Sequence, residues 1–218
     1  MKLALPMFLG LLCCAVSVQA SELPKTLFEM AGAKSQPAKL SSSVLLIIDA
    51  QREYVDGALS LNGVDAAIAE TAQLLARARK SGTPVIHVVH KGQGALFNPN
   101  GKYFEIVAAL HPLKGETIVE KMRVSAFADT KLEELIQRTG RKNLIIAGFM
   151  THNCVSSTAR AARDLGYVPT IVASATATRD LPDGKGGIVA ASVLQAASLA
   201  ALADRTVWVV QKAQEIQE

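Results

Sequence analysis

The chain contains 218 residues with a formal net charge of +4, and 50% of its residues are hydrophobic while 19% are charged. Acidic and basic residues are interspersed rather than grouped in blocks, so we expect no nucleic-acid partner. The length suits one domain with a core on both faces of a sheet and is too short for two ordinary domains. These quantities favour a single globular domain.

The N-terminus has the three-part pattern of a secretory signal peptide. Lys2 precedes an apolar run over residues 3–16, and Val18-Gln19-Ala20 supplies the small residues of a cleavage site. The run is shorter than the roughly 20 residues that a membrane span needs, and no later segment is apolar for that length. We therefore expect residues 1–20 to be removed, leaving a periplasmic or secreted protein without a membrane partner. Cys154 is then the only cysteine that remains.

Residues 21–43 mix prolines, serines and lysines without periodicity, which predicts an extended N-terminal arm before a domain over residues 44–218. Val44 to Ile48 form a short, fully apolar run that stops at Asp49, the pattern of a strand buried on both faces. A second β-like run over residues 117–120 stops at Lys121. Both polar side chains are thus expected at the carboxyl ends of strands.

Strand and helix patterns alternate through the rest of the chain. Predicted strands cover 85–89, 144–147, 168–172 and 207–210. Helices are predicted over residues 64–78, 155–165 and 188–202, the first with a possible cap at Asp65. A fourth helix is predicted to start in a capping box over Thr130 to Glu133 and to end at Gly140. A glycine-rich loop over residues 91–101 is long enough to cover a site.

This alternation predicts an α/β fold with a parallel sheet between two layers of helices. Ligands of such sheets bind at the carboxyl ends of the strands. No G-x-G-x-x-G follows the first strand and no G-x-x-x-x-G-K-[ST] occurs in the chain, so dinucleotide-binding and phosphate-loop functions lack their sequence basis.

Cys154 is placed where a predicted strand meets a predicted helix. Free backbone N–H groups and the helix dipole at such a position favour an anion, which predicts a lowered thiol pKa and a nucleophilic thiolate. A buried cysteine that acts only as a small hydrophobic residue is the alternative. Taken alone, Asp49 is equally consistent with a backbone cap, and Lys121 is typical of a solvated surface charge.

Four stretches together resemble the isochorismatase-like cysteine hydrolases, which include nicotinamidases and N-carbamoylsarcosine amidohydrolases. The resemblance covers roughly residues 44–210. The stretches are Leu45-Leu46-Ile47-Ile48-Asp49-Ala50-Gln51, Pro84-Val85-Ile86-His87-Val88, Glu120-Lys121 with Ser125-Ala126-Phe127, and Ala147-Gly148-Phe149-Met150-Thr151-His152-Asn153-Cys154-Val155 with its continuation to Tyr167.

The resemblance implies a three-layer α/β/α, Rossmann-like isochorismatase-type fold with a six-stranded parallel sheet. It also implies a general base at Asp49, a positioning cation at Lys121 and a nucleophile at Cys154. The amides of Met150 and Cys154 would form the oxyanion hole, with a cis bond before Met150. The substrate would be a small-molecule amide, because family members that hydrolyse the vinyl ether isochorismate lack the cysteine, and the protein would be a homo-oligomer.

No cofactor and no metal are expected. Nicotinamidases of this family hold a metal with an aspartate and histidines after the second strand, whereas His87 and His90 stand three residues apart here and point to opposite faces of a strand. His87 is expected in the core and His111 in a loop, while His152 is compatible with solvent exposure or packing under the turn. The expected substrate pocket, for which ordinary core packing is the alternative, consists of Tyr54, His90, Phe97, Phe127 and Phe149.

Two other functions remain open on the sequence. The same scaffold could hydrolyse an ester or a vinyl ether, which amine release would distinguish from amide cleavage. It could also be a binding or interaction protein in which Cys154 is inert or redox-active. The alkylation kinetics of an inert thiol would match those of a peptide cysteine.

Overall fold

A computed structural model describes residues 23–218, so the predicted signal peptide lies outside the described residues. Within them, no helix is both long and apolar enough to cross a membrane. The strands are β1 (Ser43–Ile48), β2 (Val85–His90), β3 (Thr117–Lys121), β4 (Asn143–Phe149), β5 (Val168–Ala177), β6 (Leu181–Pro182), β7 (Ile188–Val189) and β8 (Trp208–Val210). The α-helices are α1 (Leu27–Met30), α2 (Val64–Lys80), α3 (Leu132–Arg138), α4 (Ser156–Asp164) and α5 (Ala191–Ala203).

Six strands form one sheet in the order β3-β2-β1-β4-β5-β8, and every neighbouring pair is parallel. This confirms the predicted six-stranded parallel α/β fold. The chain builds outward from β1 to β2 and β3 and then returns to place β4 on the other side of β1. Such a reversal opens a crevice at the carboxyl ends of the strands, where open α/β sheets bind ligands.

Alternating side chains of the buried strands fill two separate cores. In β1, Leu45 and Ile47 join the cluster that α2 covers, whereas Val44, Leu46 and Ile48 join the cluster covered by α3 and α4. All of these side chains are at most 1% exposed. Burial on both faces explains why β1 is apolar at every position after Ser43 rather than at every second one.

Several local predictions are wrong. The helix predicted from residue 188 begins at Ala191, because Ile188–Val189 pairs with Leu181–Pro182 as a two-stranded antiparallel hairpin. The Asp180 carboxylate accepts a hydrogen bond from the Ala191 backbone N at 2.7 Å, so an aspartate eleven residues earlier caps the first turn.

The predicted caps of two other helices are also wrong. Gly63 in the left-handed conformation precedes α2, and Asp65 lies inside the helix. The capping box at residues 130–133 does not form, because α3 begins one residue later than that motif requires. Thr130 Oγ1 instead accepts from Leu132 N at 3.1 Å and donates to the carbonyl of Ala126 at 2.6 Å, which fastens the loop before the helix.

The predicted extended arm contains α1, a four-residue helix closed by a capping box between Thr26 and Glu29. Phe28 is the buried residue of α1, and its ring stacks on that of Trp208 with centroids 4.4 Å apart. The arm therefore lies against the β8 edge of the sheet.

Candidate active site

Asp49 follows the last residue of β1 and is fully buried. Its backbone has a positive φ of 48°, and its N–H donates to the carbonyl of Val88 at 2.8 Å. Burial raises the pKa of the Asp49 carboxyl above its usual range, and the positive charge of Lys121 opposes that rise. Among the described residues, Oδ1 has no hydrogen-bond partner. The carboxylate therefore has a free oxygen for a proton.

Lys121 is the last residue of β3, and its side chain is buried, so it is not the solvated surface charge that the residue taken alone suggested. Its Nζ lies 2.7 Å from Oδ2 of Asp49 and 3.2 Å from Sγ of Cys154. One ammonium group thus touches both other members of the predicted triad. A charge buried to this degree persists only when it is paired and hydrogen-bonded.

Cys154 lies in a π-helical turn, Thr151–Val155, which joins β4 to α4. The peptide bond between Phe149 and Met150 is cis, as the resemblance implies. Gly148 has a positive φ of 113°, and a Cβ there would lie 2.0 Å from the carbonyl oxygen of Ile48. Only glycine fits this close approach between β4 and the end of β1, and it brings the turn carrying Cys154 beside Asp49.

The predicted lowering of the thiol pKa is wrong. Burial, and after it the negative charge of Asp49, raises the pKa of Cys154 to about 12 although Lys121 opposes the rise. The thiol is only 4% exposed, so the cost of a buried anion outweighs the favourable field of the turn. Cys154 is therefore a thiol at rest and needs a base when it reacts.

Four of the five predicted pocket residues lie together, but three of them are core residues. The ring of Tyr54 packs edge-on against Phe97 and Phe149, at centroid distances of 5.1 and 5.9 Å, and Phe97 packs edge-on against His90 at 5.1 Å. Tyr54, Phe97 and Phe149 are at most 6% exposed and belong to the core cluster under α2, as the core-packing alternative expects, whereas His90 lines a cavity. Phe127 is not part of this group. It is partly buried and stacks on Tyr167 at 6.0 Å, against the core cluster under α4.

Sequence reasoning missed three polar contacts around the pocket. Gln51 is fully buried, and its side chain binds both the N–H and the carbonyl of His90, at 2.8 and 3.1 Å. His152, which the sequence left undecided, is half-buried and shares a hydrogen bond with the Thr178 hydroxyl. The Asp-x-Gln spacing after β1 was the sequence signal that could have identified Gln51 as a site residue. The contact between His152 and Thr178 depends on the path of the chain after β5 and has no such signal.

Arg179 follows Thr178, and its guanidinium donates a long hydrogen bond of 3.4 Å to the carbonyl of Asp180. No carboxylate of residues 23–218 lies within ion-pair distance of its guanidinium, and its Nε is buried without a hydrogen-bond acceptor there. Its charge acts on the site, because burial and then Arg179 lower the pKa of His152. A partly buried cation that has no carboxylate partner and acts on Tyr54 suits an anionic group.

The histidines of β2 have separate partners. Nε2 of His87 lies 2.9 Å from Glu116, and Nδ1 of His90 lies 3.0 Å from Lys121. His87 is 1% exposed, as expected for a core residue, and His111 is exposed in a loop. The described part of the chain contains no group of three or more acidic, histidine or cysteine side chains suited to a metal. Metal independence stays a prediction.

The family model described as "Isochorismatase domain" matches residues 43–214. The chain belongs to the isochorismatase family. It is accordingly an isochorismatase-family hydrolase built on the α/β fold of that family.

Three proteins illustrate the similarity. The crystal structure of an isochorismatase from Pseudomonas putida is 44% identical, covers 89% of this chain and 100% of its own, and has a TM-score of 0.85. A secreted isochorismatase effector of Verticillium dahliae is 37% identical over 80% of this chain and 90% of its own length. A ureidoacrylate amidohydrolase of Variovorax paradoxus is 27% identical over 66% of this chain and 73% of its own length.

Proposed function

We propose that this isochorismatase-family protein is a cysteine-dependent hydrolase that cleaves a carbon–nitrogen amide bond of a small molecule through a thioester. The observation that carries the proposal is the position of Lys121 Nζ, 2.7 Å from Asp49 and 3.2 Å from the Cys154 sulfur. Nucleophile, base and orienting cation in mutual contact are the arrangement that activates a side chain for acyl transfer. Amidohydrolases among the relatives support the same bond type.

In the first half of the reaction, Asp49 takes the proton of the Cys154 thiol as the sulfur attacks the amide carbonyl. The raised pKa of Asp49 makes it a stronger base, and the raised pKa of Cys154 makes the thiolate more nucleophilic once formed. The amides of Met150 and Cys154, at the strand-to-helix turn, would stabilise the oxyanion. Asp49 then gives its proton to the leaving nitrogen, the C–N bond breaks, and a thioester remains.

In the second half, Asp49 takes a proton from water, and the resulting hydroxide attacks the thioester carbonyl. The C–S bond breaks, the acid leaves, and the thiolate recovers the proton from Asp49. Lys121 keeps a positive charge beside whichever of the two partners is anionic at each step. The net reaction adds one water across the amide bond.

A panel of primary amides, N-substituted amides and carbamoyl compounds, screened for release of ammonia or amine, tests the proposal. We expect turnover that is lost by at least ~10³-fold in Cys154→Ala. Acid quenching during turnover should add the mass of the acyl group to the peptide that contains Cys154. Undiminished turnover by Cys154→Ala, or hydrolysis of esters and vinyl ethers without any amide, would contradict it.

We also propose that the protein is exported and acts as a homo-oligomer on a small molecule, with no nucleic-acid or membrane partner. The signal-like pattern of residues 1–20 and the secreted relative from Verticillium dahliae support export. The intact mass of the exported protein should correspond to a chain that begins at Ser21. Retention in the cytoplasm with residues 1–20 intact would contradict export, and light scattering gives the oligomeric state.

A further inference from the structure

The ammonium group of Lys121 has more acceptors around it than the triad requires. Besides Asp49 and Cys154, Nδ1 of His90 lies 3.0 Å from Nζ and the carbonyl oxygen of Arg123 lies 3.2 Å from it. A lysine ammonium has three N–H donors, and a histidine nitrogen can accept only when it carries no proton. The contact with His90 therefore requires one specific tautomer of its ring.

The backbone fixes His90 next to Lys121 independently of that contact. His90 and Lys121 are register partners in the parallel β2–β3 ladder, so their side chains leave adjacent strands side by side. The buried amide of Gln51 accepts from His90 N at 2.8 Å, and donates to the carbonyls of His90 at 3.1 Å and Phe104 at 2.8 Å. The edge-on ring of Phe97 then limits rotation of the imidazole.

We propose that His90 is a positioning residue of the catalytic centre, a neutral imidazole whose unprotonated Nδ1 accepts a hydrogen bond from Lys121 and so holds the ammonium between Asp49 and Cys154. The inference deepens the proposed amide hydrolysis and rests on it for its kinetic part. The tautomer and the contact themselves do not depend on any substrate.

The charges around His90 favour the neutral ring. His90 lines a cavity of about 560 Å³, whose rim also includes Lys91, Glu120, Arg123 and Asp129. On this rim, Lys91 pairs with Glu120 at 3.0 Å and Arg123 with Asp129 at 2.9 Å. Each rim carboxylate thus has its own cation.

On the buried side, the ring faces Lys121, which in turn contacts Asp49 and Cys154. Burial and then the Lys121 charge lower the pKa of His90 to about 4. An imidazolium here would place a second cation against Lys121 and remove the acceptor.

The role follows from what changes during the reaction. When the thiol proton moves to Asp49, the carboxylate becomes neutral and attracts Lys121 less strongly, while the sulfur becomes the anion. The Arg123 carbonyl and Nδ1 of His90 are the two acceptors near Nζ whose charge does not change in this step. His90 is the side chain of the two, and its acceptor keeps the ammonium close to Sγ in both protonation states.

Nitrogen-15 NMR of the ring nitrogens tests the tautomer without a substrate, and the chain has only four histidines to assign. We expect His90 to show an unprotonated Nδ1 and a protonated Nε2, unchanged from pH 8 to pH 5.5. A protonated Nδ1, or protonation of the His90 ring between pH 8 and pH 5.5, would overturn the proposal.

Variants test the positioning role. In His90→Asn, the side-chain oxygen can take the place of Nδ1, whereas His90→Ala removes the acceptor. We expect kcat to fall ~100-fold in His90→Ala with little change in KM, and to stay within ~10-fold of wild type in His90→Asn. His111→Asn is the matched substitution that should leave both constants unchanged.

Equal losses in His90→Asn and His90→Ala, or an unimpaired His90→Ala, would overturn the role of the acceptor. The rate of Cys154 alkylation in the same variants gives a second measurement that needs no turnover. If neither wild type nor any variant hydrolyses amides while His90 shows the expected tautomer, the proposed function is contradicted, but the contact between His90 and Lys121 is not.

Discussion

Nζ of Lys121 lies 2.7 Å from Oδ2 of Asp49, and neither side chain is exposed to solvent. Removing one partner of such a pair leaves an uncompensated buried charge, which typically costs ~3–5 kcal/mol. We expect Lys121→Met to lower the free energy of unfolding by about that amount in urea titrations. The double variant Asp49→Asn with Lys121→Met should recover part of the loss, because the remaining amide carries no charge.

Lys91→Met is the matched control for this experiment. Lys91 pairs with Glu120 at 3.0 Å, but the two side chains are 44% and 53% exposed, so the change should cost no more than about 1 kcal/mol. A loss in Lys121→Met as small as in Lys91→Met, or a double variant less stable than Lys121→Met, would contradict the buried pair.

The ionisation of Cys154 leads to a second prediction. Because burial and the Asp49 charge raise the thiol pKa to about 12, alkylation by iodoacetamide should be slow at pH 8 and should still accelerate above pH 9. In Asp49→Asn the negative charge that contributes to the raised pKa is gone while Lys121 remains, so the thiolate should form at lower pH and the rise of the alkylation rate should move to lower pH. Mass spectrometry of the Cys154 peptide measures both rates.

Asp129→Asn, at an exposed carboxylate, is the control and should react like wild type. If the alkylation rate of wild type shows an inflection near pH 8.5, the pKa of an unperturbed thiol, the result would argue against a buried environment for Cys154. An alkylation rate of Asp49→Asn that rises at the same pH as that of wild type would exclude Asp49 as a charge that raises the pKa.

The sequence predicted where the triad lies because each member ends an apolar strand or follows one. Asp49 and Lys121 were placed at the carboxyl edge by strand patterns alone, and in both cases the structure agrees. The chemistry of Cys154 could not be read in the same way. Its pKa depends on how completely the site is buried and on the distance to Asp49, which no local pattern encodes.

Predictions of helix boundaries were wrong because they too depend on contacts between residues distant in sequence. The first turn of α5 is capped by Asp180, which reaches it across the β6–β7 hairpin, so the relevant partner is distant in sequence. Phe127 was grouped with the pocket because it follows Lys121 closely, yet it stacks on Tyr167. Proximity along the chain indicates proximity in space only where the backbone path between two residues is known.

A third prediction concerns Glu116, which anchors the loop before β3. Its carboxylate binds Arg79 through two contacts of 2.7 and 2.9 Å, the backbone N of Leu113 at 2.9 Å and Nε2 of His87 at 2.9 Å. Arg79 and these other donors lower the pKa of Glu116 to about 2, against the opposing effect of burial. The ionised carboxylate therefore stabilises the folded state.

The sign of the pH effect follows from the lowered pKa. The contribution of Glu116 is fully present above the unfolded value of 4.5 and is lost as the pH falls from there towards about 2. We expect Glu116→Gln to be less stable than wild type at pH 7 and to lose less stability between pH 5 and pH 3. Urea titrations at these pH values decide it. A variant with the same acid dependence as wild type would show that other groups determine it.

The last prediction concerns substrate charge. Arg179 has no carboxylate partner among residues 23–218, its Nε is buried without an acceptor, and its charge acts on His152 at the pocket. Hydrogen bonds to charged groups contribute about 1.5–3 kcal/mol, so Arg179→Ala should raise KM for amides that bear a carboxylate by ~10–100-fold. KM for neutral amides should change little.

Arg160→Ala, at an exposed position on α4, controls for the loss of one positive charge from the protein. Arg179→Lys should fall between wild type and Arg179→Ala, because a lysine keeps the charge but not the paired N–H groups of the guanidinium. The comparison is made as kcat/KM ratios for a carboxylated amide and its neutral methyl ester analogue. If the ratio is the same in wild type and Arg179→Ala, Arg179 does not recognise an anion, and its unpaired guanidinium needs another explanation.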